Sequence, residues 1–478
     1  MTRIERDSLG EIEIPDNVLY GAFTTRALRN FQLSGIRANK EFISSIALIK
    51  KAAAHANMKL GMLDKKLGNA IVQAADEVIQ GKYMDEFILD VFQAGAGTPF
   101  NMNTNEVIAN VAIKKLGGRP GDYHLVHPNN HVNMAQSSND VIPTAIRVSV
   151  LLTLPALVTE LEKITLAFQE KSKEYDSIIK AGRTHLEDAV PIRYSQVFDG
   201  YAASLERCIE RIKSAEKGML ELGIGGTAVG TGINTHPDFK KTVISELTEF
   251  TGLEFYQGNS VMLSWSMASF VDMSNALRML AIELNKISND LRLLNSGPKA
   301  GLAEIILPEV EPGSSIMPGK VNPSIPEAVN MVCFQVIGND RAISLAAEAG
   351  QLELNVMTPL IAFDLLWNIE LLTKTIRMLR VDCVSGIIVD KKRCSELLEN
   401  SHAIATILNP YIGYENVAEL VKTALAENKS LRQILLERDI IPEKYLNEIL
   451  DPMKMTEPGI IDKKIIDEIR AYQKKNRR

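Results

Sequence analysis

Cysteine, aromatic side chains and net charge are all scarce in this chain. Its 478 residues include 4 cysteines, 2 tryptophans and 6% aromatics, and the formal net charge is −6. Cys208, Cys333, Cys383 and Cys394 are scattered, with no C-x-x-C pair and no Cys/His cluster at metal-ligand spacing. A disulfide scaffold and a zinc site are disfavoured, no metal is expected, and a reducing cytoplasm fits the cysteine usage. The opening Met1-Thr-Arg-Ile-Glu-Arg-Asp7 is charged and lacks an apolar signal region, and no uninterrupted apolar run reaches membrane-spanning length. No membrane partner is expected, and the expected compartment is the cytoplasm. No basic patch or aromatic–basic interleaving is present, which argues against nucleic acid. The basic end Lys474-Lys475-Asn476-Arg477-Arg478 reads as a solvated, frayed terminus. No G-x-G-x-x-G follows a strand pattern, so no nucleotide cradle and no cofactor is expected.

What the chain does have is aliphatic periodicity. Hydrophobic residues make up 46% of it, which with so few aromatics points to an aliphatic core and long helices. The first forty residues are extended and turn-rich, punctuated by Gly10, Pro15 and Gly21. Helical patterns follow through Ile43, Ile46 and Ile49 and through Leu67, Ile71, Ala74 and Val78, giving a mostly helical N-terminal domain over 1–140. From Pro143 the stripes lengthen. Leu154, Leu157, Leu161, Ile164 and Phe168 form one, and Val197, Tyr201, Leu205, Cys208 and Ile212 another. The clearest runs Phe270, Met273, Leu277, Leu280, Leu284, Ile287, Leu291 and Leu294, in alternating steps of three and four. Such helices bury their stripes only side by side, so 141–390 is expected to be a long helix bundle, and self-association covers what one bundle leaves exposed. After residue 390, Pro410, Gly413, Pro442, Pro452, Pro458 and Gly459 cut the pattern into a small helical domain, 391–478. The expected fold class is all-α.

Polar islands interrupt the helices. One is Gly95-Ala-Gly-Thr98-Pro-Phe-Asn101-Met-Asn103-Thr-Asn105-Glu106, where Asn103 and Glu106 could cap a following helix. A second, His131 to Asp140, ends in Gln136-Ser137-Ser138-Asn139-Asp140, and capping requires only one of those five residues. A third is Gly182-Arg-Thr184-His185-Leu-Glu-Asp188. The fourth is Gly313-Ser314-Ser315-Ile-Met-Pro-Gly-Lys320-Val-Asn322-Pro323, whose glycines and prolines forbid regular helix. Ser324-Ile-Pro-Glu327 after it has capping-box spacing, so a donor-rich loop feeds the positive end of a helix, which suits an anion. The islands are rich in neutral donors and poor in acids. Together they could line a pocket for a small dicarboxylate, with Lys320 as the fixed positive charge.

The fourth island, G-S-S-x-M-P-x-K-x-N-P, resembles the signature of the fumarase/aspartase superfamily. The other islands match the same family in order and content. So do Asp7-x-x-Gly10, Tyr20-Gly21, Asn30-Phe31, Gly226-Thr-Ala-Val-Gly-Thr-Gly232 and Asn409-Pro-x-Ile-Gly-Tyr414, and the resemblance covers essentially the whole chain. It implies three domains with a central five-helix bundle, four copies forming a twenty-helix core, and each active site built from three subunits. His131-Val-Asn133, Gly301-Leu-Ala-Glu-Ile, Gln351-Leu-Glu-Leu-Asn-Val-Met357 and Leu450-Asp-Pro-x-x-Met-Thr-x-Pro-Gly459 resemble the aspartase side, whereas Gly225-Gly226-Thr227 is closer to the fumarase side. The balance implies elimination of ammonia from L-aspartate to give fumarate. The nearest alternative is hydration of fumarate to L-malate. A catalytically silent structural member is the alternative of another class, and the intact Ser314, Lys320, Asn322, Thr184 and His185 stand against it.

The resemblance also implies roles. Ser314 matches the general base, with Glu327 the partner of His185. Thr98, Ser137, Ser138 and Ser315 match the holders of the β-carboxylate. Lys320, Asn322 and Thr184 match the holders of the α-carboxylate, and Asn139 and His185 lie near the amino group. Two positions depart from the family wording: Pro99 replaces a small polar residue after Thr98, and Glu187 replaces a common glutamine beside Thr184-His185.

Overall fold

In a computed structural model of the chain, residues 1–402, 404–459 and 462–476 are described. Five long helices dominate: Ser138–Glu174, Tyr194–Met219, Ala268–Leu294, Ser324–Glu348 and Thr358–Asp382. Every stripe residue of the first and third is buried, as the three-and-four spacing requires. In the second, Val197 is only half-buried and Phe198 takes the core position, stacking on Phe168 at 6.2 Å. Polar contacts tie neighbouring helices together. Fully buried Arg147 donates to the Gly218 carbonyl at 2.9 Å and lies 4.8 Å from the Phe270 ring centre. Ser274 donates to Asp340 at 2.7 Å, and Asn339 to Asn368 at 2.8 Å.

The sequence reading needs several corrections. Pro143, from which the stripes lengthen, lies inside the first long helix, as does Pro155. Burial of its stripe outweighs the roughly 3 kcal/mol that a proline costs a helix interior. That same helix is, by length and composition, apolar enough to cross a membrane, although no uninterrupted apolar run in it reaches spanning length; 72% of its most apolar stretch is buried inside the chain, as in a core helix. The all-α expectation holds in the main, but four two-stranded sheets are present among the described residues. Lys474 and Lys475 fall in the last turn of a helix, Lys463–Asn476, where cations suit the dipole, rather than in a frayed tail. Arg477 and Arg478 lie outside the described residues.

Two compact units divide the chain, and both draw residues from all five long helices. The first comprises Met1–Glu160, Arg207–Glu283 and Met331–Thr375. In it the Lys40–Lys59 helix packs on Lys65–Ile79, Thr98–Lys115 and Phe239–Thr251. Asn39 and Asp64 cap the first two by accepting from backbone N–H groups of the opening turn. The second unit comprises Leu161–Glu206, Leu284–Asn330 and Ile376–Arg478. It holds an antiparallel hairpin, Ile179–Thr184 with Glu187–Arg193, against which the Lys391–Asn400 helix packs. Leu408, Leu420, Ile434, Leu435 and Ile469 anchor a separate core in its C-terminal helices.

Candidate active site

In the first unit, the island before Glu106 is mostly helix. The helix starts at Thr98, so Asn103 and Glu106 lie inside it and do not cap it. Glu106 caps a different helix, Ala22–Asn30. Its carboxylate accepts from the N–H groups of Gly21, Phe23 and Thr24 at 2.8, 2.9 and 3.2 Å and from the Thr24 hydroxyl at 2.6 Å. Burial nonetheless pushes its pKa up to about 7 against those donors. Pro99 occupies the first turn, where its missing N–H has no helical partner to lose, and Thr98 keeps a helical backbone beside it.

Ser137, Ser138 and Asn139 open the first long helix. Asp140 accepts from the Ser137 N–H at 2.9 Å and from the Gly225 and Thr227 N–H groups at 3.0 and 2.8 Å, tying the Gly225–Thr227 turn to the serines. Asn139 donates its amide to the Ala228 carbonyl at 2.8 Å. Thr98, Ser137, Ser138 and Asn139 thus line one cavity of about 640 Å³, together with Asn101 and, among others, Glu5 and Asp7. Backbone N–H of Asn139 donates to the Ser137 hydroxyl oxygen at 3.2 Å, leaving the serine proton free to donate elsewhere.

Sequence reasoning missed the residue beneath this cavity. Lys50 is fully buried, and its ammonium donates to the side-chain oxygens of Asn101, Asn133 and Gln136 at 2.6, 2.9 and 2.9 Å. A signal was present: Lys50 follows Ile43 by seven residues and Ile46 by four, on the apolar stripe itself. Burial lowers its pKa to about 7, with buried Asp140 acting in the opposite sense.

In the second unit, Thr184 and His185 lie at the exposed tip of the hairpin. Thr184 pairs with Glu187 across a two-residue turn, so the departure at Glu187 faces Thr184. Both turn residues, His185 and Leu186, have positive φ, 57° and 65°. Primed hairpin turns demand this, yet neither residue is Gly, Asn or Asp, and such backbone strain concentrates at functional sites.

The Gly313–Pro323 loop is closed at its base. Gly313 N–H donates to the Lys320 carbonyl at 2.8 Å, and the Asn322 amide donates to the Gly313 carbonyl. A Cβ at residue 313 would lie 2.5 Å from the Lys320 oxygen, so only glycine fits. At the loop's head the Ser314 hydroxyl oxygen accepts from two backbone N–H groups, Ile316 at 3.2 Å and Met317 at 2.9 Å. Ser315 and Lys320 are exposed. The following helix begins at Ser324, as its spacing suggests, but Glu327 lies 3.9 Å from Arg292 instead of turning back as a capping-box acid. The four cavity-lining residues are therefore grouped in the first unit. The hairpin pair and the loop residues form separate groups in the second.

Comparison with known proteins gives this arrangement its family. Residues 10–338 match the family described as Lyase, and residues 404–457 match Fumarase C C-terminus. The chain is 46% identical over 466 residues to an aspartate ammonia-lyase of Bacillus subtilis, covering 97% of this chain and 98% of that one. An aspartate ammonia-lyase of Escherichia coli is 42% identical, with 98% of each chain covered. Among solved structures, a fumarate lyase:delta crystallin from Brucella melitensis bound to cobalt superposes with a TM-score of 0.93 at 46% identity, over 96% of this chain and all of that one. A class II fumarase from Schistosoma mansoni gives the same TM-score at 38% identity, again over 96% of this chain and 100% of its own. On fold, on site wording and on full-length identity alike, the chain belongs to the fumarase/aspartase superfamily.

Proposed function

We propose that this protein is a carbon–nitrogen lyase that converts L-aspartate reversibly to fumarate and ammonia, with Ser314 as the base. The observation that carries the chemistry is the pair of backbone N–H groups on the Ser314 oxygen. A serine hydroxyl is ordinarily far too weak an acid to persist as alkoxide. Two amide donors, with Lys320 on the same loop, favour that charged form.

The alkoxide takes the proton from Cβ. The electron pair left behind is delocalised into the adjacent β-carboxylate as an aci-carboxylate dianion, then returns to form the Cα–Cβ double bond as ammonia leaves Cα. Hydroxyl donors from Thr98, Ser137, Ser138 and Ser315 meet the charge where it grows, and each such donor is worth about 2.7–4 kcal/mol in comparable oxyanion sites. Lys320, Asn322 and Thr184 hold the α-carboxylate. Asn139 and His185 stand by the amino group, with Glu327 behind His185. In this structure Asn322, Asn139 and Glu327 are turned to Gly313, Ala228 and Arg292, so the productive site requires them to exchange partners as the loop closes. Closure also excludes water.

The exposed positions of Thr184, His185, Ser315 and Lys320 support a site completed by other copies in a homotetramer. Exposed apolar side chains on the Ser324–Glu348 helix support the same reading: Met331, Phe334 and Leu345 are 65, 60 and 45% exposed in the single chain. The expected partners are thus a small dicarboxylate, ammonia and further copies of the chain.

The test is ultraviolet absorbance of fumarate, with L-aspartate and separately with L-malate. Fumarate from aspartate alone is the expected result, and fumarate from malate alone would replace this reading with a hydratase. Ser314→Ala is expected to fold and bind fumarate normally while turnover falls by more than about a thousandfold, the scale of loss when a catalytic nucleophile or base is removed. Near-native turnover in that variant would remove Ser314 from the mechanism.

A further inference from the structure

In its ammonium form, the form that three surrounding amide oxygens favour, Lys50 donates hydrogen bonds and accepts none. The three amide groups around the Lys50 ammonium must therefore all turn their oxygens toward it, so their orientation is dictated by chemistry. The rest of the network agrees. Asn133 sends its NH₂ to the Gln136 carbonyl at 3.1 Å, and Gln136 sends its own to the Val132 and Met134 carbonyls, each at 3.1 Å. These carbonyls only accept, so neither amide can be reversed.

The consequence reaches the cavity through Asn101. With its oxygen on Lys50, its NH₂ faces the Ser138 hydroxyl oxygen at 3.1 Å and the Asn133 oxygen at 3.2 Å. Ser138 is thereby made an acceptor on its protein side, and its single proton is left for the cavity that it lines with Thr98 and Ser137. Were Asn101 reversed, its oxygen would take the Ser138 proton and the cavity would face a lone pair. For a site that binds carboxylates, that inverts a donor into a repulsive acceptor.

We propose that Lys50 is a positioning residue that, by locking Asn101, aims the Ser138 hydroxyl as a donor at the substrate carboxylate. The inference rests on the dicarboxylate reading above. It adds that a lysine with no access to the cavity sets the polarity of one of its walls.

A double-mutant cycle between Lys50→Met and Ser138→Ala tests it, on full-length protein, by steady-state kinetics and by calorimetric binding of fumarate. Methionine approximates the aliphatic stem but removes the ammonium and frees the amides. Lys50→Met is expected to cost about 100-fold in kcat, comparable to loss of one oxyanion donor, with a smaller change in KM. In the Ser138→Ala background the same change should cost less than about threefold, because the hydroxyl it acts through is gone. Losses that multiply, or a Lys50→Met enzyme within threefold of native, would overturn the proposal. If Lys50→Met does not fold, Asn101→Leu replaces it in the cycle, since that variant leaves Lys50 two of its three acceptors. The same non-additivity is expected there, and independent losses would overturn the idea. Native protein that is inert toward L-aspartate would sink the functional reading alone, and the fumarate-binding cycle would still decide the role of Lys50.

Discussion

Lys320 illustrates how much a single residue type constrains the chemistry. Its neighbours in the loop are glycines, prolines, hydroxyls, an amide and the apolar Ile316, Met317 and Val321, so it is the one formal charge between Gly313 and Pro323. A charged hydrogen bond to a substrate carboxylate contributes about 1.5–3 kcal/mol, so Lys320→Met should raise KM for L-aspartate roughly 10–100-fold. Steady-state kinetics checks this, and an unchanged KM would move the α-carboxylate to other residues. Ser314 was legible in sequence only because the wording around it is so specific. Its two amide donors depend on how the chain turns between residues 314 and 317, which no residue identity discloses. Lys50 was the reverse case. Its position on an apolar stripe was visible, but its partners come from segments up to 86 residues away.

Among the elements, the hairpin shows how a strained turn is held in place. Glu304 is fully buried and gathers three groups from the hairpin and the helix after it. Lys180 lies 3.1 Å away, Arg183 2.7 Å away but off the hydrogen-bond direction, and the Tyr194 hydroxyl donates at 3.0 Å. Burial lowers the Lys180 pKa while Glu304 opposes that shift, and burial with Glu304 drives the Tyr194 phenol far up. Two cations lean on one carboxylate directly beside Thr184 and His185. Glu304→Gln removes the only negative charge of this cluster, and breaking a buried pair in this way costs about 3–5 kcal/mol. Denaturant unfolding measures it, and a loss under about 1 kcal/mol would show that the cluster does not hold the hairpin. Glu304 belongs to the Gly301-Leu-Ala-Glu-Ile wording that marked the aspartase side, where the sequence showed a motif without a task for the acid.

For the whole molecule, the question is what covers the long helices. Met331, Phe334 and Leu345 return to one face of their helix at steps of three and eleven residues, with solvent against them in the single chain. Phe334→Asp places a charge in the middle of that face. Sedimentation should then show a smaller species than native protein, and activity should fall with it if copies complete one another's sites. A variant that sediments like native protein would free this face from the assembly.

Residue order alone determined the long amphipathic helices, the aliphatic core and the family, because heptad periodicity and contiguous motif wording are local properties of a chain. It also delivered the candidate donors of Thr98, Ser137 to Asn139 and Ser314 to Asn322 as separate islands. Tertiary structure decided which partners several of the polar side chains take. Glu106 caps a helix more than 75 residues earlier in the chain, Asp140 ties down a turn 85 and 87 residues later, and Lys50 orients Asn101 and through it Ser138. Hydrogen bonds are directional and these partners are distant in sequence, so only the folded chain could specify which side chains face one another.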